Sequence, residues 1–465
     1  MTKNKEKLQK NNFNFGNAIF SFTDYLDMAD KFLKKQPCFY TDQKIWWAWN
    51  FETKSWEMID KIDLKNLVTK SVTGLKLFEL KESAEVLNAL TMRARLNIPL
   101  DAPKTWVQFK DVIIDIKTGE KIIPSPKYFI TNPIKYGLSE TTKTPRFDKL
   151  FKEWVDPEWV ETLYEIIAFS CLPDYPLHRI FCFTGEGRNG KTSYLSIIAK
   201  LLGKKNCCST DLDLLMTNRF ESSKMYKKLI CEMGEIDAQI FKRTSKLKKL
   251  VGDDLLGVEF KGHDGFDTHN YAKLLIATNK LPETTDKTIG FYSKWIAIDF
   301  PNHFEEKAGL LDDIPDEEYE ALAAKSIKYL KKLLETSKFT NEGTYAEKEI
   351  RYEARSSSIN DYIKQFCVMD VNAKIPLYEL YNSYLAYCSE RGLRKPTKTE
   401  VTRILHTKKC ESIIINTYKL DGDATTIRGY KGITLVDYKE QAKNPPSNEK
   451  QGIQLYETEK GDLNE

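Results

Sequence analysis

The chain has 465 residues, of which 41% are hydrophobic and 30% charged, the balance of an ordinary folded protein with length for about three domains. Its 71 basic and 67 acidic residues leave a formal charge of +4, too small to announce nucleic-acid binding by itself. No apolar stretch approaches the roughly 20 residues of a membrane-spanning helix, and the start MTKNKEKLQKNN lacks a signal-peptide core, which predicts a cytosolic protein with no membrane partner.

In chain order, residues 1–16 are polar and read as disordered. Residues 17–145 read as an N-terminal α+β domain. In CFYTDQKIWWAWNFETKSWEMI the aromatic residues alternate with polar ones as in a hairpin, and WVQFKDVIIDIKTGEKIIPSP reads as two strands around a Thr-Gly turn. A Pro-containing linker then leads to a helical stretch over Phe147 to Leu172. Nine cysteines are scattered through the chain without a CxxC pair, so they read as reduced core residues rather than as metal ligands.

After the apolar run HRIFCFT comes GEGRNGKTS, a complete GxxxxGK[ST] phosphate loop formed by Gly185, Glu186, Gly187, Arg188, Asn189, Gly190, Lys191, Thr192 and Ser193. Glycine-permitted dihedrals let consecutive backbone N–H groups wrap a β-phosphate. Lys191 places a point charge between β- and γ-phosphates, and the Thr192 hydroxyl suits Mg²⁺. The following helix, SYLSIIAKLLG, adds its positive end to the same site. ATP and Mg²⁺ are therefore the expected ligands.

From about Leu177 to Phe304, HRIFCFT, KKLICEM, YAKLLIATN and KWIAIDF are short apolar runs with helical segments between the early ones, the pattern of a mostly parallel sheet in an α/β core. KKLICEMGEID ends its strand with Glu232 and Glu235. Glu235 is the choice for water activation and for the metal, with Glu232 in a supporting role on the metal, the alternative being two solvated glutamates. LLIATNKLPET ends another strand with Asn279, whose amide suits water and γ-phosphate, although Asn is also an ordinary turn residue. VEFKGHDGFDTH forms two short runs around Lys261 and His263, a hairpin tip that either points cations at a nucleic-acid backbone or is simply solvated.

Towards the C-terminus, EEYEALAAKSIKYLKKLLETSK and YAEKEIRYEARSSSINDYIKQFC each read as one helix. Leu377 to Val436 gives two helices followed by the strands SIIINTYKL and IRGYKGITLV, the order of a winged helix. Its cations include Lys398, Arg403, Lys408, Lys409, Arg428 and Lys431, either a phosphate-binding face or a solvated one. The stretch 438–465 is a polar tail.

The ordered set GEGRNGKTS, LICEMGE, KxLVGDD with VEFKG, LLIATNKLP and GFYSKWIAIDFP resembles the superfamily 3 helicase domain of virus and plasmid replication proteins, specifically the poxvirus-type primase-helicase group. WVQFKDVIIDIKTGE is similar to the segment preceding the motor in that group. Tyr381, Tyr384, Tyr387 and Cys388, with RGYKGITL, resemble its C-terminal winged-helix region. The resemblance runs from about Phe32 to Val436. It implies a P-loop AAA+ type ATPase core over 146–340, with the N-terminal α+β domain before it and a winged-helix domain over 341–437. It further implies a ring-forming motor, a hexamer, that hydrolyses ATP to move along single-stranded and forked DNA, each site being closed by the next subunit. Carried over by position, Lys191 and Thr192 bind phosphate and Mg²⁺, Glu235 takes the acidic role, Asn279 is the sensor, and Lys261 with His263 lies on the pore hairpin.

Two departures from the group stand out. Where relatives place the Arg finger, this chain has Ser293 and Lys294, and Lys is a point charge without the two-pronged fork of Arg, so Lys294 is the candidate trans-acting cation. The residues before Phe32 are too few for the primase domain many relatives carry, so priming is expected from a separate primase or polymerase. The leading expectation is a replicative helicase of a virus, plasmid or integrated element, acting in host cytosol if viral. The alternative is an ATP-switched DNA-binding initiator or regulator that does not unwind processively.

Overall fold

The computed structural model describes residues 22–71, 80–185, 187–236, 244–262, 264–305, 309–356, 358–390, 396–418 and 424–436. Among them, no helix is long and apolar enough to cross a membrane. The chain divides into two compact units, Met1–Glu349 and Ile350–Glu465.

The first unit opens with α1 (Phe22–Lys35) and a three-stranded antiparallel meander of β1 (Cys38–Tyr40), β2 (Trp46–Asn50) and β3 (Ser55–Ile59). The aromatic alternation that predicts a hairpin extends over one more strand, because the turns after Tyr40 and Asn50 both reverse the chain. Strand periodicity sends Cys38, Trp46 and Ala48 into one core with α1, α2 (Lys61–Ser71) and α3 (Leu80–Ala94). Phe39, Trp47, Trp49 and Trp56 enter a second core on the opposite face. The sheet is thus buried on both sides, which explains why tryptophans crowd its second and third strands. Next come β4 (Leu100–Asp101), β5 (Trp106–Phe109), β6 (Val112–Asp115), β7 (Lys121–Ile122) and β8 (Tyr128–Phe129). The Thr118-Gly119 turn joins β6 to β7 as expected, while a tight turn at Lys110 and Asp111 divides the preceding run into β5 and β6.

Helices α4 (Pro145–Trp154) and α5 (Val160–Ser170) lead into the central sheet. Its elements follow as β9 (Ile180–Thr184), α6 (Lys191–Leu202), β10 (Cys207–Ser209), α7 (Leu212–Thr217), β11 (Ile230–Met233), α8 (Thr244–Val251), β12 (Leu255–Val258), β13 (Phe266–His269), β14 (Lys273–Thr278), α9 (Ile289–Tyr292), β15 (Trp295–Asp299) and α10 (Asp316–Thr336). Five strands pair in the order β10-β11-β14-β9-β15, every pair parallel. Every residue of β9 is buried, as a strand covered on both faces requires. β10 has no counterpart among the four apolar runs of the sequence, because it is three residues long at the sheet edge and carries no apolar run of its own. β12 and β13 form a separate antiparallel hairpin.

The second unit begins within α11 (Tyr345–Ser356) and continues with α12 (Ser358–Phe366), which together cover the helical stretch expected there; residue 357 between them lies outside the described residues. Then come β16 (Cys367–Pro376), α13 (Leu377–Glu390), α14 (Lys398–Thr407), β17 (Glu411–Tyr418) and β18 (Ala424–Leu435). β18 is central in the antiparallel order β16-β18-β17. β16 has no counterpart in the expected helix-helix-hairpin order, since its exposed and half-exposed residues show no clean alternation. Tyr384, Tyr387 and Cys388 are core residues with Tyr362, Leu405 and Tyr430, and Tyr381 donates its hydroxyl to Pro396 O at 2.8 Å. A capping box between Thr397 and Glu400 starts α14.

Candidate nucleotide site

β9 ends at Thr184, whose hydroxyl donates to Asp299 Oδ1 at 2.6 Å and so ties the loop's root to the end of β15. The described loop residues 187–190 lead into α6, which begins at Lys191. Gly190, immediately before the helix, has φ +94, and a Cβ there would lie 2.7 Å from the Trp154 indole. Both backbone and space therefore require glycine. Arg188 adopts the left-handed conformation as well, with φ +59, and its carbonyl accepts Phe304 N–H at 2.8 Å. Asn189 donates its amide to Phe300 O at 3.1 Å, a second tie between the loop and the chain after β15.

Lys191 is 7% exposed. Its ammonium is folded back on the loop, donating to Asn189 Oδ1 at 2.9 Å and to Gly185 O. Burial lowers its pKa, opposed by the negative charge of Glu235. The amine sits among oxygens that an incoming anion can replace as acceptor. Thr192 is exposed and Ser193 half-buried at the start of α6.

The parallel sheet brings the distant carboxylates and amide to this loop. Because β11, β14 and β9 run the same way, their C-terminal ends lie side by side. A cavity of ≈ 470 Å³ is lined by residues 187–193 of the loop and α6, by Glu232 and Glu235, and by Asn279. Asn279 Nδ2 donates to Glu235 Oε1 at 2.9 Å, joining the two strand ends across the mouth. Glu232 lies deeper. Burial raises its pKa, and its Oε1 is fully buried without a hydrogen-bond partner. A half-buried carboxylate with an orphaned oxygen fits a cation ligand better than a solvated surface residue. Ser209, at the end of the edge strand β10, also lines the cavity. Only the strand order exposes that role.

Other candidate residues lie elsewhere. Glu186 and His263 fall outside the described residues. Lys261 is exposed at the tip between β12 and β13, whose base packs Phe260 and Phe266 against Tyr226 and the second aromatic core. Lys294 is half-buried just before β15, and the pairing of Trp295 with Ile180 and Asp299 with Thr184 puts it at the sheet end opposite the loop. Five strand residues correspond to about 16 Å. In the second unit, Lys398, Arg403, Lys408, Lys409 and Arg428 are exposed and Lys431 is half-buried. Arg403 is paired with Glu353 at 2.6 Å.

A five-stranded parallel sheet with a glycine-turned loop between a buried strand and a helix is the framework of a P-loop nucleotide-binding core. Residues 183–289 match a family model described as a family of unknown function, DUF5906; the span holds the loop, both glutamates, the β12–β13 hairpin and Asn279, and stops before Lys294. The fold is also similar to solved apo structures of the C-terminal region of NrS-1. One is 15% identical, with 88% of this chain and 99% of that chain covered at a TM-score of 0.44, and a second is 14% identical at 0.42 with the same coverage. No curated protein matches the chain.

Proposed function

We propose that this chain is an ATP-driven replicative DNA helicase that works as a ring, a hexamer, on single-stranded and forked DNA. The observation that carries the reading is the convergence of the phosphate loop, Glu232, Glu235 and Asn279 on one cavity while Lys294 stands at the far end of the same sheet. A site of this class needs a carboxylate at the metal, a base or orienting group for water, a γ-phosphate sensor and an added cation. Candidates for the first three surround the loop, and the fourth, in this reading, serves a neighbouring subunit.

The backbone N–H groups of 187–193 then cradle the β-phosphate. Lys191 exchanges Gly185 O and Asn189 for phosphate oxygens. Thr192 and Glu232 would hold Mg²⁺, which when bound supplies positive charge to the phosphate oxygens. Glu235 takes the proton of the attacking water, and Asn279, already bonded to it, orients the pair. Lys294 of the adjoining subunit stabilises the charge that develops on the transferred group. Lys261 and His263 contact DNA phosphates from the hairpin. The domains proposed around the motor over 146–340 are the α+β domain over 17–145 and a winged helix over 341–437. In the latter, Lys398, Arg403, Lys408, Lys409, Arg428 and Lys431 grip duplex DNA.

Steady-state ATPase measured with and without single-stranded DNA tests this. DNA should stimulate hydrolysis, the stimulation should fall steeply between roughly 50 and 200 mM salt as phosphate contacts are screened, and Lys191→Ala should abolish it. Hydrolysis indifferent to both DNA and salt would count against the proposal. A second reading, an ATP-switched initiator that binds and melts one site without processive unwinding, draws on one feature: Lys294 lacks the fork of an Arg finger, which favours a slow switch over a cycling motor.

A further inference from the structure

Behind Lys294 lies a buried ionic cluster to which the mechanism above gives no task. Glu342 and Lys348 pair with side chains only 4% and 5% exposed, and Arg179 joins the same carboxylate oxygen at 2.6 Å. Glu342 Oε2 accepts Phe339 N–H at 3.1 Å. Burial pushes the Glu342 carboxyl up, but the Lys348 hydrogen bond and the Arg179 charge outweigh it and keep it ionised. Removing two charged chains from water is costly, so a cluster that only filled space would be better replaced by apolar side chains.

Its contacts lead to the segment holding Lys294. Lys348 Nζ donates to Ser293 O at 3.0 Å, and one residue later Lys294 O accepts Ile180 N–H at 2.6 Å. Ser293 N–H and Lys294 N–H are bonded to Ile289 O and Phe291 O at 3.0 and 3.2 Å. The backbone at 293–294 is therefore held at both N–H groups and both carbonyls, and Arg179 and Ile180 are adjacent, so the cluster grips it from two directions. With two cations on one carboxylate, the cluster carries net positive charge. Arg179 and Lys248 repel the Lys294 ammonium, whereas the exposed Asp254 attracts it.

We propose that Arg179, Glu342 and Lys348 are positioning residues for Lys294: they fix its backbone and turn its ammonium outward, towards the nucleotide site of a neighbouring subunit. Preorganisation of this kind matters most where the presented cation is a single point charge on a flexible stem. The inference rests on the trans-acting role of Lys294 under Proposed function.

Subunit mixing tests both ideas separately. Lys294→Ala, Lys348→Met and Lys191→Ala proteins are assayed alone and in pairs by DNA-stimulated ATPase, with equilibrium binding of a fluorescent ATP analogue alongside. Lys348→Met should lose about 10- to 100-fold in kcat, the cost of misplacing a reacting group by an ångström, with analogue affinity within about twofold because its own loop is intact. Mixing it with Lys191→Ala protein should restore activity, since the Lys191→Ala subunit offers a correctly held Lys294 to an intact loop. Mixing it with Lys294→Ala protein should not. Lys348→Arg, which keeps charge and donors, should recover most of kcat.

If Lys294→Ala is rescued by Lys191→Ala but Lys348→Met is not, the positioning role is overturned and the trans cation stands. If Lys294→Ala is not rescued either, the trans cation falls and the positioning role with it. Should Lys348→Met fail to fold, Lys348→Gln, which keeps a shorter donor without a buried charge, is read by the same mixing pattern, with the same result for and against.

Discussion

Glu232 and Glu235 are separated by two residues yet occupy different environments, and their behaviour should separate accordingly. Glu235 is exposed and shares a hydrogen bond with Asn279, whereas Glu232 is half-buried with an orphaned oxygen and a raised pKa. A carboxyl whose folded pKa is raised binds its proton more tightly in the native state, so this group costs stability once pH rises above its unfolded value, and the cost is complete above its folded one. Glu232→Gln should therefore raise the melting temperature of the nucleotide-free protein at pH 7 by the equivalent of about 1 kcal/mol, discounted for the solvent that still reaches the side chain. The gain should shrink as pH is lowered through the raised pKa. The same variant should lose Mg²⁺-dependent hydrolysis, an opposition of stability and activity expected of a metal-site carboxylate. Asn279→Ala should lower kcat by about 10²-fold, the usual loss for one oriented donor, with little change in nucleotide affinity. Both are read by calorimetry and steady-state ATPase.

The elements explain which parts of the site are legible in the sequence. Loop residues 185–193 are readable because the motif is contiguous, and Glu232, Glu235 and Asn279 because each follows an apolar run that ends at the same sheet edge. Ser209 and the Arg179–Glu342–Lys348 cluster are not, because β10 has no apolar run and the cluster joins residues 163 positions apart through side chains alone. β16 and the third strand of the N-terminal meander escape for a related reason: pairing depends on partners, while periodicity shows only one face. The helix-loop junction supplies an element-scale prediction. Gly190→Ala must place a Cβ in the left-handed region against Trp154. It should cost about 2–4 kcal/mol, combining backbone strain with overpacking, and abolish nucleotide binding in the same titration. β14 supplies another. Lys273, at its first residue, is fully buried and donates to Leu172 O with Phe169 and Tyr175 rings around it; burial lowers its pKa to about 7. A lysine with a lowered folded pKa binds fewer protons in the native state, so stability improves as pH rises from about 7 towards the ordinary lysine value. Lys273→Met should stabilise the protein at pH 7 by about 1–4 kcal/mol, and denaturant melts at about pH 9.5 should show that advantage shrinking.

Across the whole molecule, the charge balance is nearly neutral, yet the proposed DNA contacts gather at a hairpin tip in the first unit and around α14 and β18 in the second. Binding should therefore depend on local phosphate contacts rather than on a global field, and Lys261→Ala, which removes a single cation, should reduce the slope of log affinity against log salt by about 1. Conversion of hydrolysis into movement along DNA is read out by strand displacement on a forked duplex with one strand labelled. A translocating motor gives ATP- and Mg²⁺-dependent release of the labelled strand over tens of base pairs, absent with Lys191→Ala and with a non-hydrolysable analogue. Hydrolysis accompanied only by local melting at the junction, with no strand released, would contradict it and leave the chain as a nucleotide-switched DNA-binding protein.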